Sequence, residues 1–381
     1  MPVALLAGAV ASKPLNGGEA WVRLNWLLGL RRLGWEVFFV ECLAAPLDPI
    51  GRAHLDAVMA EHGLGDRWAL LDQRGGSVAG LSAAEVEAVA AEAEVLFNHS
   101  GNLGPGPLRE APRRRVYVDL DPAYTQVWDA DPALAFSVAG HDRHVTVGLG
   151  VGRDGCRLPS GGVEWVPTLP PVVLEHWPAA PASRAAPLRF TTVATWRGPY
   201  GRLPLAGGLA GGKHHEFRRL LDLPGAVSGA AFELAVDIHP GDGADLEALL
   251  DAGWTVVSPR EVASTPAAFA AYLRGSGAEF SVAQGAYVDS RCGWFSDRTA
   301  AYLASGRPAL VQATGVDREL PVGEGLLNFT DRAGAAEAAR RIVADPAGHA
   351  EAARALAEEH LDSDLVLGRL LERLDLGALV S

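Results

Sequence analysis

The 381-residue chain is poor in cysteine, methionine and lysine. Its three cysteines, Cys42, Cys156 and Cys292, show no CxxC or CxH spacing. Neither a disulfide framework nor a thiolate zinc site is indicated, and a reducing, cytoplasmic setting is expected. No stretch reaches the roughly 18 apolar residues of a membrane span, so no integral membrane contact is expected. The opening run, MPVALLAGAV, lacks a basic leader and reads as a buried first strand rather than a signal segment. Positive charge is in deficit: 33 Lys and Arg against 46 Asp and Glu, a net −13. Such a surface repels phosphate backbones, and the triplet Arg113 to Arg115 is too short to make a basic stripe. Nucleic acid is therefore not an expected partner.

What is present is a globular composition, 49% hydrophobic and 21% charged, in a chain long enough for two domains. Short apolar runs alternate with helical patterns. Val3 to Ala9 precedes a helix over Glu19 to Leu33 and the β-rich WEVFFVE; VLFNHSG, RVYVDLD and HVTVGLG (His144 to Gly150) follow. This alternation predicts a parallel sheet covered on both faces, a Rossmann-like domain over 1–165. Six prolines between Trp165 and Pro187 deny the backbone donors a helix or central strand needs, which places a linker at 166–187. A second α/β series then runs over 188–355, from LRFTTVATW to PALVQATG. Ala335 to Leu374 predicts two packed helices, and the last segment, 356–381, is expected to return to the first domain. The fold class is α/β, with two Rossmann-like domains facing a central cleft, where such folds bind ligands.

Several residues would line that cleft. Arg197 follows a strand end, and Lys213 opens a helix after two glycines. A cation at a helix N-terminus runs against the macrodipole, and a nearby diphosphate would repair the conflict; solvated surface residues are the alternative. In SRCGWFSDRTAAYLASG, Ser296 and Asp297 start a small-residue helix approached by Ser290 and Arg291. Free N–H groups there suit a phosphate, Asp297 suits ribose hydroxyls, and Arg291 and Arg298 add charge-assisted bonds. Ser296 also serves as an ordinary N-cap. In the first half, Asn16, Gly17 and Gly18 sit where the first strand meets the first helix, and glycines there allow close approach of backbone to a ligand or make a simple turn. Asn98 and His99 end a strand directed at the cleft. His99 could take a proton from an acceptor or steady an anion. Asp119 and Asp121 form a D-x-D that could hold a divalent cation, cap a turn, or act as a base on an acceptor.

The second half resembles the donor-binding half of the GT-B glycosyltransferases. Arg197 and Lys213 match that family's diphosphate-holding Arg and Lys, and AAYLASGRPALVQATG is similar to its helix, Gly-x-Pro and strand element. The whole chain also resembles an uncharacterised bacterial glycosyltransferase-like family carrying GWFSDR, YLASGRP and GEGLL. The resemblance implies transfer of a sugar from a nucleoside-diphosphate sugar, as co-substrate, to a small-molecule acceptor. With the chain divided into two α/β halves and D-x-D a common pattern, no metal and no resident cofactor are expected, and the strand-end positions of His99 and Asp121 make them the catalytic candidates. The chain departs from the family at Gly293 and Ala301, where retaining members carry two glutamates eight apart; Asp297 is the expected substitute for their ribose contact. The alternatives are a sugar-nucleotide epimerase of the same fold and a non-catalytic nucleotide-sugar-binding protein. The absence of GxGxxG disfavours a nicotinamide-binding dehydrogenase.

Overall fold

The computed structural model describes the chain except for Ala135, Pro199, Ala206, Gly207 and residues 378–381, so the tail of the 356–381 segment lies outside the described residues. The first half holds eight strands: β1 (Val3–Ala7), β2 (Glu36–Cys42), β3 (Trp68–Leu71), β4 (Ser77–Gly80), β5 (Val95–His99), β6 (Arg115–Asp119), β7 (Arg143–Thr146) and β8 (Trp165–Pro167). Their order is β4-β3-β2-β1-β5-β6-β7-β8, and only the β3–β4 pair is antiparallel. All five residues of β1 are buried, as a central parallel strand covered on both faces requires. Because β8 pairs with β7, with Val145 opposite Val166, the first sheet continues to Pro167, two residues past the expected boundary.

The second half contributes β9 (Leu188–Thr195), a hairpin of β10 (Leu203–Leu205) and β11 (Gly208–Ala210), then β12 (Ala230–Asp237), β13 (Thr255–Val257), β14 (Ala278–Ser281), β15 (Ala309–Gln312) and β16 (Leu326–Phe329). The six-stranded sheet, β13-β12-β9-β14-β15-β16, is wholly parallel. Each sheet changes winding direction once, at β1/β5 and at β9/β14, which sets a crevice at the C-terminal strand ends of each half.

The helix Gly17–Arg32 joins the halves. Asn16 caps it, its Oδ1 accepting from the Glu19 amide at 3.1 Å. Trp26, Leu27 and Leu30 are buried, and the Trp21 indole donates to the Pro266 carbonyl at 2.9 Å. Burying an aromatic or Leu side chain of this kind contributes about 1.5–3 kcal/mol. Ala335 to Leu374 forms three helices rather than two: Arg332–Ala344, Pro346–His360 and Ser363–Arg373. Asp345 and Asp362 cap the second and third, and Pro346 stops the first. The last helix lies on Gly17–Arg32, where Arg32 Nε meets Asp364 Oδ1 at 2.8 Å. The run His144 to Gly150 stays in the sheet only through Thr146; Gly148 then pairs with Trp294 of the other half.

Candidate functional site

On the first-half wall, the loop after β1 is held by Glu41, whose buried carboxylate accepts from the amides of Val10 and Ala11 at 2.7 Å and Ser12 at 2.8 Å. Nothing in the sequence singled Glu41 out. Gly17 and Gly18 are needed for a different approach than a ligand's. A Cβ on Gly17 would stand 2.0 Å from the Thr265 carbonyl oxygen, and one on Gly18 3.0 Å from the Phe269 ring, so both pack against the second half. Asn16 is exposed and acts as a cap. Beside it, Glu19 pairs with Lys13 at 3.0 Å and with Arg23 at 2.9 Å. Arg23 is 4% exposed, and its Nε has no hydrogen-bond partner. Its i, i+4 spacing from Glu19 was the available signal, and sequence reading passed over it.

His99 ends β5 fully buried against Trp26, with ring centroids 4.9 Å apart, and neither ring nitrogen has a partner. Burial, then the Arg23 charge, holds its pKa well below the usual value. A neutral imidazole donates and accepts one hydrogen bond each, so His99 offers an anion an N–H donor rather than a charge. Asn98 is turned inward: its Nδ2 donates to the Leu103 carbonyl at 2.9 Å and its Oδ1 accepts from the Leu103 amide at 3.0 Å. It shapes the loop rather than the cleft. Asp119 is saturated, accepting from the Thr125 hydroxyl at 2.6 Å, the Gln126 amide at 2.8 Å, the Thr146 hydroxyl at 2.8 Å and the Asp121 amide at 3.0 Å. Asp121 is free to face the seam. Its Oδ1 accepts from the Tyr287 hydroxyl at 3.2 Å, and its Oδ2 from that of Tyr200 at 3.4 Å.

The second-half wall is built at the ends of β9, β14 and β15. Gln284 accepts from the Lys213 amide at 3.1 Å, and Gln312 donates to Glu216 at 2.8 Å, fixing the first turn of the helix Lys213–Arg219. The Lys213 side chain is buried, with Nζ 6.0 Å from the Trp294 ring centroid, and it forms no ion pair among the described residues. Arg197 does not join it. Its Nε donates to Asp242 at 2.6 Å, and its side chain is 60% exposed. Arg298 is spent on the fold, donating to Glu279 at 2.7 Å and to the Val193 carbonyl at 2.7 Å. The Ser290 carbonyl accepts from the Arg157 amide, and Arg291 ends its helix in the left-handed region, φ 53°, with an exposed side chain. Ser296 caps the helix Asp297–Ala304, accepting from the Arg298 amide at 3.3 Å. Gly293 explains the missing glutamate: at φ 72°, a Cβ there would lie 2.7 Å from the Gly150 amide of the other half. Lys213, Ser296, Asp297 and Asp121 are brought to one seam, with Arg298 beside Lys213 but bonded to Glu279; Arg197, Arg291 and Asn98 are not.

The charges at this seam are perturbed. Burial, and next the Arg298 charge, push Lys213 down to about 7, against the opposing pull of Asp121 and Glu279. Burial, and next Asp119, push Asp121 up to about 6. Burial likewise lifts Asp297 to about 6, while Arg23 works the other way. Groups titrating near neutrality on both walls of a crevice are the pattern that acid–base and anion-binding sites require.

No family model matches the chain, and no curated protein matches it. Solved structures do. HepE of Anabaena, in complex with UDP and glucose, aligns with a TM-score of 0.57 at 13% identity, covering 98% of this chain and 100% of that one. AviGT4, a glycosyltransferase involved in avilamycin A biosynthesis, gives 0.54 at 16% identity, covering 98% and 97%. An alpha-glucosyltransferase in complex with UDP and a 13-mer DNA gives 0.59 at 10% identity, covering 98% and 100%. The fold is that of the GT-B glycosyltransferases, an α/β arrangement of two Rossmann-like units over nearly the whole chain.

Proposed function

We propose that this protein is a glycosyltransferase that moves a sugar from a nucleoside-diphosphate sugar to a small-molecule acceptor without a metal ion. The observation that carries this reading is Lys213. A buried ammonium with no ion-pair partner among the described residues is costly, and a diphosphate placed against the helix Asp297–Ala304 would supply one. The acceptor hydroxyl attacks the anomeric carbon, its proton passes to the Asp121 carboxylate, and the bond to the diphosphate oxygen breaks with its electron pair leaving on the diphosphate. Lys213 and the amides at Ser296 and Asp297 stabilise that charge. His99, neutral, and Arg23 offer unpartnered buried donors and acceptors to sugar hydroxyls. Asp297, at the first turn of the helix Asp297–Ala304, takes the ribose hydroxyls in this reading. Metal independence rests on Asp119: four hydrogen bonds occupy its oxygens, so the D-x-D offers one carboxylate rather than two.

A thermal-shift screen of UDP, GDP and TDP and their sugars tests the reading. Binding at a hundred times Kd adds about 2.7 kcal/mol of stability. Stabilisation by one diphosphate, followed by its release from the matching sugar in the presence of acceptors, is expected. No stabilisation by any of them contradicts the proposal.

A further inference from the structure

Both oxygens of Asp121 are held by phenols of the opposite half, and the two phenols come from separate elements. Tyr287 lies on the helix Gly285–Ser290, which follows β14; Tyr200 lies in the loop after β9. Each is braced. Tyr287 packs on Trp294 with centroids 4.8 Å apart, and Tyr200 packs on Trp128 at 4.8 Å and Tyr124 at 5.1 Å, while the Tyr124 hydroxyl donates to the Gly201 carbonyl at 3.1 Å. The Asp121 amide, in turn, is fixed by Asp119. We infer that Tyr287 and Tyr200 are positioning residues: from the opposite half they orient the Asp121 carboxylate for proton transfer.

The inference rests on the transfer reading for the role of Asp121, but the clamp itself is a separate fact about that carboxylate. A simpler account is that Asp121 merely satisfies a buried Tyr287 hydroxyl, as buried phenols require. Both place the same hydrogen bond on Asp121 and differ in turnover: a positioning role lowers kcat when the hydroxyl is lost, and a merely satisfied hydroxyl leaves kcat unchanged. A phenol that donates to a carboxylate favours its ionised form, so removing the hydroxyl makes Asp121 harder to ionise. The other groups that face Asp121 are Asp119, Glu19, Lys13, Lys213, Asp297 and Tyr124, and none is altered by the substitution.

The test follows the Asp121 carboxyl directly, by 13C NMR titration of aspartate-labelled protein, assigned with Asp121→Asn. In Tyr287→Phe the Asp121 midpoint is expected to rise by about one pH unit, the scale of a hydrogen bond to a charged group. Tyr200→Phe, at the longer distance and on an exposed ring, is expected to move it less and serves if Tyr287→Phe does not fold. In turnover, the acid limb of the pH profile should rise with it and kcat should fall about tenfold, with KM for the donor unchanged. An Asp121 midpoint that stays put in both variants overturns the inference, as does an unchanged kcat in a variant whose midpoint moves. A midpoint that moves, in a protein that transfers from no nucleotide sugar, leaves the clamp standing and removes the transfer reading.

Discussion

The two walls of the cleft are made by the same kind of parallel sheet, yet they bring opposite chemistry. The first half presents carboxylates, Glu19 and Asp121, and its deeply buried cation Arg23 is already paired to Glu19. The second half presents Lys213 and a helix start; of its carboxylates, Glu279 is neutralised by Arg298 beneath them, and Asp297 at the helix start is pushed toward its neutral form by burial. Within the second half, the two cations expected to act together are themselves a contrast. Arg197 is exposed and tied to Asp242, whereas Lys213 is buried and unpaired among the described residues. The chain contains only two lysines, Lys13 and Lys213, and both stand at this cleft; arginine serves at all other cationic positions. A compact ammonium that can shift its pKa on burial differs from a guanidinium that stays charged, and the difference suits a site that must be dry before an anion enters.

The contrast between the walls can be broken from the first half. Asp121→Asn keeps the side-chain shape and removes the base, so kcat should fall by about 100- to 10,000-fold, while nucleoside diphosphate binding, read by calorimetry, stays within a few-fold. A loss of binding equal to the loss of turnover would place Asp121 in the donor site. The contrast within the second half gives the next effect. Lys213→Ala should lower turnover by on the order of a hundredfold, whereas Arg197→Ala should change it by no more than about threefold, since an exposed ion pair contributes little. Equal losses would mean that Arg197 leaves Asp242 for the ligand.

A smaller effect follows from pH. Asp121 must be ionised, hence pH above about 6, and Lys213 protonated, hence pH below about 7, so kcat/KM should follow a narrow bell between those limits. A bound diphosphate favours the ammonium form and raises the Lys213 pKa. Binding at pH 8 should therefore take up a proton, seen by calorimetry in buffers of different ionisation enthalpy. Zero uptake would mean that Lys213 is already charged or plays no part.

Much of the fold was legible because central strands such as β1, between Pro2 and Gly8, and β15, after Pro308, are short apolar runs, and helix starts such as Ser296-Asp297 carry their own caps. Lys213 was legible for a similar reason, a cation standing where a helix start disfavours one. What escaped depends on partners distant in sequence. Arg197 meets Asp242, Gly17 meets the Thr265 backbone, and Gly293 meets Gly150, and no local pattern encodes those encounters. Glu41 and Arg23 escaped because a glutamate at a strand end and an arginine in a helix look like surface residues until the second half covers them. The hairpin β10–β11 was hidden in a stretch whose glycines and prolines read as loop.

The grip of Lys213 on a pyrophosphate is tested most directly by comparing the affinities of a nucleoside diphosphate and its monophosphate, such as UDP and UMP, in the parent protein and in Lys213→Ala. The parent should prefer the diphosphate, and removal of the ammonium should shrink that preference by roughly 10- to 100-fold, as for a charge-assisted bond. The same preference in both proteins would contradict it.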